Sequence, residues 1–371
     1  MSFKNLFSPL KIGAVTVPNR VFMAPMTRIR SDEPGDVPTD LMGQYYRQRA
    51  SSGLIITEAT QISFEAKGLS GAPGVHTPEQ IHAWRRINDS VHALGGHTAV
   101  QVWHTGRVSH HTLQPDGRAP MAPSALPANA AITLRDEEGN LIKAESSAPR
   151  EMTVEEIKQA VADFGRAAAC AKDANFDFIE LHAAHGYLMH QFLSDQSNHR
   201  SDAYGGTPER RMRFVLESVD AAVSHWSADR VGIRIFPTGR FHGVEGGVEQ
   251  EQEALALIRE LDKRSLAYLH ISEPDWTGGK PFDDAFRLAI REAFNGVIIG
   301  ASGYTPDKAE ALIERGLIDA VAFGRPYISN PDLVERIQEG VAFAEPRQDR
   351  FYASGPEGYV DYPDRNGVVL A

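Results

Sequence analysis

The strongest constraint on this chain is a rhythm. Short apolar, β-branched runs return eight times along its 371 residues, with helical segments between them. The runs cover 21–26, 54–59, 98–104, 177–183, 231–236, 268–272, 296–301 and 320–324. Most are apolar almost throughout, as strands covered on both faces must be. The segments between them carry helix starts. Thr77-Pro78, Thr207-Pro208, Thr305-Pro306 and Asn330-Pro331 each set a capping side chain ahead of a proline, whose missing N–H is harmless at the first helical position. Thr153 and Glu156 make a capping box before Ile157, Val161 and Phe164, which share one helical face. Alternation of β and α over the whole length predicts a parallel sheet, and eight units predict a closed (β/α)8 TIM barrel instead of an open doubly wound sheet. Residues 1–371 then form a single domain.

Two stretches break the rhythm. Residues 10–17, around Gly13, predict a small hairpin plugging the barrel bottom. Residues 105–150, after the third strand, form a long excursion rich in Pro, Ser and Ala. It contains a second hairpin, 132–134 against 141–143, and insertions at this place act as lids or substrate-facing loops. The net charge of −11 argues against nucleic acid as a general partner. One cysteine, Cys170, allows neither an intramolecular disulfide nor a thiolate metal cluster, and reads as a small apolar residue. The N-terminus lacks the apolar core of a signal peptide, and no apolar run approaches the ~20 residues of a membrane helix. A cytoplasmic protein without a membrane partner is expected.

In such a barrel chemistry collects at the C-terminal ends of the strands. Polar residues do concentrate there: Thr27 and Arg28 after strand one, Gln101 and His104 in strand three, Arg234 in strand five. Strand four runs on into His182, His185 and Tyr187. Two imidazoles can hold one oxygen, and a phenol beside them can give it or its neighbour a proton. Strands seven and eight end in Ser302-Gly303 and Gly324-Arg325, where barrels of this kind often bind phosphate through backbone N–H groups and an arginine. Tight glycine turns also occur in any barrel. Arg234 in an apolar strand needs either an internal salt bridge or a bound anion. Gln101 offers both a donor and an acceptor to an imide-like edge. Flavin mononucleotide satisfies all of these: a phosphate, a pyrimidine edge and negative charge on reduction. The i, i+3 histidines also fit zinc, with Glu180 or another strand-end group as third ligand, whereas His199, His225 and His270 read as structural. No dinucleotide fingerprint follows a strand and no phosphate-loop lysine motif is present.

The sequence resembles the Old Yellow Enzyme family of NADH:flavin oxidoreductases, nearest its bacterial branch of N-ethylmaleimide, pentaerythritol tetranitrate, morphinone and xenobiotic reductases. The resemblance runs from Leu6-Phe7-Ser8-Pro9-Leu10 to Tyr359-Val360-Asp361-Tyr362-Pro363. It is carried by Asn19 to Arg28, by Gln101-Val102-Trp103-His104-Thr105-Gly106-Arg107, and by His182 to Tyr187 followed by Gln191-Phe192-Leu193 and Asn198 to Gly206. It implies tightly bound, non-covalent FMN, with NADPH or NADH as a transient reductant. Pro25, Thr27, Ala59, Gln101 and Arg234 would hold the flavin ring, and Gly303, Gly324 and Arg325 its phosphate. His182 and His185 would grip a substrate oxygen, Tyr187 would donate the proton, and Trp103, Trp276, Tyr352 and Leu69 would line the substrate space. Many members have Asn where His185 stands, and close members often carry a tyrosine where this chain has Leu69.

The implied activity is ping-pong reduction of activated C=C bonds in α,β-unsaturated carbonyl compounds and maleimides, extending to nitro compounds and nitrate esters. Hydride would pass from flavin N5 to the β-carbon and Tyr187 would protonate the α-carbon. No resident metal is implied, and the protein would be a monomer or dimer. A metal-dependent lyase or hydrolase, and a flavoprotein that only binds, are the competing readings.

Overall fold

The eight expected runs pair into one closed sheet in the computed structural model, which describes residues 3–244 and 249–370. The barrel strands are β1 (Val21–Met23), β2 (Ile55–Ile56), β3 (Thr98–Trp103), β4 (Phe178–Ala183), β5 (Val231–Ile235), β6 (Tyr268–Ser272), β7 (Val297–Ala301) and β8 (Ala320–Phe323). Each pairs in parallel with the next, and β8 returns to β1. Side-chain alternation sorts the strand residues into two cores. Phe22, Ile56, Ala99, Phe178, Tyr268, Ile299 and Ala320 cluster together inside the barrel. Their neighbours Val21, Ile55, Val100, Ile179, Leu269 and Val321 pack outward with residues of the surrounding helices.

Most strands stop earlier than their apolar runs suggest; β6 alone keeps both expected ends. The first run continues to residue 26, but β1 ends at Met23 and the next residues turn over the top of the barrel. Ala24 and Thr57 still bond to the neighbouring strand, and beyond them the chain leaves the ladder: 58–59 stay buried, while Pro25, Met26 and Gly324 are half-buried and line the cavity above.

The N-terminal hairpin forms as expected, Leu10–Ile12 against Val15–Val17. Ile12 and Val17 join the inner core and close the barrel bottom. At Gly13 φ is +47°, and an added Cβ would lie 2.0 Å from the carbonyl oxygen of Asp229, so only glycine fits. The capping boxes at Thr77 and Thr153 are complete, and Thr305 caps Lys308. Thr207 precedes its helix without a side-chain cap. Asn330 corrects the expectation more fully. The helix begins at Leu333, and the Asn330 amide instead donates to Pro326 O and accepts from the Ala344 N–H. A tertiary staple has taken the side chain that a local cap would have used.

The 105–150 excursion carries the second hairpin, Ala131–Arg135 against Leu141–Glu145. Ile132 and Leu134 build a satellite core with Val108, Ala128 and Ala130, against which Leu69 and Tyr187 pack. Glu33 ties this hairpin down, accepting from Arg135 at 2.6 Å and Lys67 at 2.7 Å. Among the described residues no helix is long and apolar enough to cross a membrane.

Candidate active site

A cavity of about 480 Å³ opens at the C-terminal ends of the strands. Pro25, Thr27, Ala59, Leu69, Gln101, Trp103, His182, His185, Tyr187, Arg234, Trp276, Gly324, Arg325 and Tyr352 all line it. Gly303 does not. Its N–H donates to both carboxylate oxygens of Asp275, at 3.1 and 3.2 Å.

The turn after β4 explains how one short segment supplies three site groups. His185 (φ +57°) and Gly186 (φ +74°) both take the left-handed conformation and reverse the chain. A Cβ on Gly186 would meet Phe241 O at 2.5 Å and His242 Cβ at 2.7 Å. The Leu188 N–H donates to His104 O. Gln191 fixes the turn to the loop after β3: its Nε2 donates to Gly186 O at 2.7 Å and Thr105 O at 3.0 Å, while its Oε1 accepts from the Arg107 N–H. Tyr187 is thus delivered to the cavity by backbone geometry.

The His182 and His185 rings stand edge to face, centroids 5.1 Å apart. Tyr187 lies 5.1 Å from His182 and 4.6 Å from Trp103. Trp276 meets the far side of His185 at 5.1 Å. Burial, and next the charge of Arg234, push both histidines well below the usual imidazole range. They are neutral at neutral pH, each with one N–H. The Ser272 hydroxyl lies 3.0 Å from His185 Nε2. Donation from that hydroxyl leaves the ring proton on Nδ1. His182 has no hydrogen-bond partner among the described residues, and its buried Nδ1 is orphaned. Burial raises the Tyr187 phenol above its ordinary value, and its hydroxyl likewise has no protein partner among them. All three side chains line the one cavity.

Arg234 is the strongest indication of what lies opposite. It is 8% exposed, its Nε is buried and unpartnered, and no described carboxylate forms an ion pair with it. Burial lowers its pKa to about 10. The internal salt bridge that would have explained this arginine is absent among the described residues. Gln101, on the neighbouring wall, donates through Nε2 to Glu180 at 2.7 Å. Arg325 is exposed at the other end of the cavity without a hydrogen-bond or ion-pair partner among the described residues. These are the donors that an FMN ring edge and phosphate require.

No three His, Cys, Asp or Glu side chains among the described residues form a metal-ligating group, so the histidine pair lacks the third zinc ligand. Glu180 instead joins His270 beneath the cavity. Cys170 is half-buried, and burial raises its thiol pKa, away from reactivity. Sequence reasoning missed Phe241 and Phe351 in the lining, and gave Met26 and Ser302 no role of their own. Phe241 sits in an irregular loop after β5, where no periodicity could mark it; Ser302 was readable only as part of a turn.

Neutral hydrogen-bond donors beside an unpaired arginine, atop a closed barrel, describe a flavin oxidoreductase. The comparisons identify which kind: residues 5–343 match the NADH:flavin oxidoreductase / NADH oxidase family, and the chain belongs to it. The structure of morphinone reductase superposes with a TM-score of 0.94 at 46% identity, over 99% of this chain and 98% of that one. Morphinone reductase is also known in complex with tetrahydroNAD. The Old Yellow Enzyme homologue from Zymomonas mobilis superposes at 0.91 with 36% identity, over 97% and 99%. Putative 12-oxophytodienoate reductase 11 of Oryza sativa subsp. japonica is 41% identical over 364 residues, 96% of this chain and 97% of its own.

Proposed function

We propose that this protein is an FMN-dependent, NAD(P)H-driven ene-reductase acting on α,β-unsaturated carbonyl compounds and maleimides. The observation that carries the reading is the placement of the His182, His185 and Tyr187 donors over the same cavity as the unpaired Arg234. Pro25, Thr27, Ala59, Gln101 and Arg234 would hold the flavin ring, and Gly324 and Arg325 the phosphate. Bound FMN would supply hydride chemistry, taking two electrons from a reduced nicotinamide and delivering them to carbon. The known complex of morphinone reductase with tetrahydroNAD supports a nicotinamide as the reductant.

The chain's own residues do the rest. His182 and His185 donate to the substrate oxygen and stabilise the negative charge that grows there. Tyr187, protonated throughout the neutral range, gives its proton to the α-carbon. Trp103, Trp276, Tyr352 and Leu69 supply apolar wall, so flat cyclic substrates fit best; nitro compounds offer the histidines the same oxygen. The 105–150 excursion, through its core against Leu69 and Tyr187, shapes that wall as part of the same domain.

The visible spectrum of the purified protein before and after NADPH tests the proposal. A yellow protein that bleaches, and recovers its colour on adding cyclohexenone or N-ethylmaleimide, is expected. A colourless protein that takes up no FMN would overturn it, and a yellow one that never bleaches would reduce it to a binding protein.

Asp275 supplies a finer expectation. Its carboxylate occupies the Gly303 N–H that the sequence had offered to the phosphate. Asp275→Asn should tighten FMN binding by about five-fold, the scale of one partly exposed charge interaction. Fluorescence titration of the flavin-free protein measures it; an unchanged affinity would place the phosphate away from Gly303.

A further inference from the structure

Below the cavity lies a buried polar row that the proposed reaction does not use directly. Glu180 on β4 and His270 on β6 both have side chains 0% exposed. One Glu180 oxygen accepts from Gln101 Nε2 at 2.7 Å, and the other from His270 Nδ1 at 2.8 Å. Burial lowers the His270 pKa, so the ring is neutral and donates through Nδ1. Arg234 lies beside His182 and His270 in the ladder, yet makes no ion pair with Glu180. The carboxylate still acts on the guanidinium through space, opposing the larger effect of burial on its pKa.

A carboxylate only accepts hydrogen bonds, so the Gln101 amide must turn its nitrogen toward Glu180. Reversed, it would bring two unprotonated oxygens together in a dry interior. Glu180 therefore decides that the Gln101 carbonyl oxygen and its second N–H are what the cavity receives.

We propose that Glu180 is a positioning residue for the cofactor: it fixes the edge that Gln101 presents, and its negative charge tempers the pull of Arg234 on incoming electrons. This inference rests on the FMN reading above. Two variants separate its two parts. In Glu180→Gln the charge is lost and the amide at 180 accepts or donates equally, so Gln101 is no longer held one way. FMN affinity should fall about ten-fold, the scale of one buried hydrogen bond. The flavin midpoint potential should rise, because less negative charge opposes reduction. In Glu180→Asp the charge stays but withdraws from Gln101 by one methylene. Affinity should fall again, with the potential close to wild type.

Both are measured on the full chain: affinity by fluorescence titration of FMN into the flavin-free protein, potential by spectroscopic redox titration of the holoenzyme, folding by circular dichroism. A folded Glu180→Gln with wild-type affinity and potential overturns the proposal. If that variant does not fold, wild-type affinity in Glu180→Asp overturns it instead. A wild-type protein that binds no FMN would defeat the functional reading itself, a result distinct from either.

Discussion

Replacing Tyr187 with Phe is expected to slow the oxidation of reduced enzyme by enones about 10²–10⁴-fold, the range for loss of a positioned general acid. Reduction of the flavin by nicotinamide should stay nearly intact. The size follows from the absence of a substitute among the described residues lining the cavity. The Tyr304 hydroxyl is committed to Glu273 at 2.6 Å, and Tyr352 stands half-exposed at the rim. Both histidines are neutral, and in the proposed reaction their protons would be engaged by the substrate oxygen. The pH dependence follows from the raised phenol. A tyrosine acts as an acid only below its pKa, and burial moves that pKa upward. The oxidative rate should therefore show no alkaline loss below about pH 10, the ordinary tyrosine value. Stopped-flow measurement of the two half-reactions decides the matter; equal collapse of both would strip Tyr187 of the role.

Replacing both His182 and His185 with Ala should lower the oxidative half-reaction by at least about 10²–10³-fold, the typical loss for one donor to a developing oxyanion. It should also weaken phenol and enone binding. The two losses should not simply add, since the rings stand edge to face and in the proposed reaction would share one oxygen. Because both imidazoles stay neutral well below the usual range, ligand affinity should be flat from pH 6 to 8 as far as these groups decide it. Long-wavelength absorption of phenol complexes reports binding. Spectra that survive the double substitution would remove the pair from the site.

Much of this site lies in contiguous sequence. His182, His185 and Tyr187 fall within one strand-and-turn segment, where local geometry alone brings them together. Arg234 and Gln101 were readable for another reason: polar groups in otherwise apolar strands demand an explanation. What escaped depends on pairs distant in the chain. Nothing near Gly303 announces that Asp275 will hold its N–H. Nothing near Glu180 says whether its partner will be a metal or Gln101 and His270. Asn330 looked like a cap because capping is local, and became a staple because Ala344 arrived from fourteen residues away. The barrel was legible because apolar runs alternating with helical segments are a one-dimensional signal. The strand ends were not, because leaving a ladder while staying buried changes hydrogen bonding without changing hydrophobicity.

The small hairpin beneath the barrel has a consequence at the opposite end. With Ile12 and Val17 packed into the inner core, the bottom of the barrel axis is filled by side chains among the described residues. Molecules that enter the proposed site from the top would then leave from the top. Crowding by either reductant or substrate should then obstruct the other, so the traffic at the top is governed partly by a cork at the bottom.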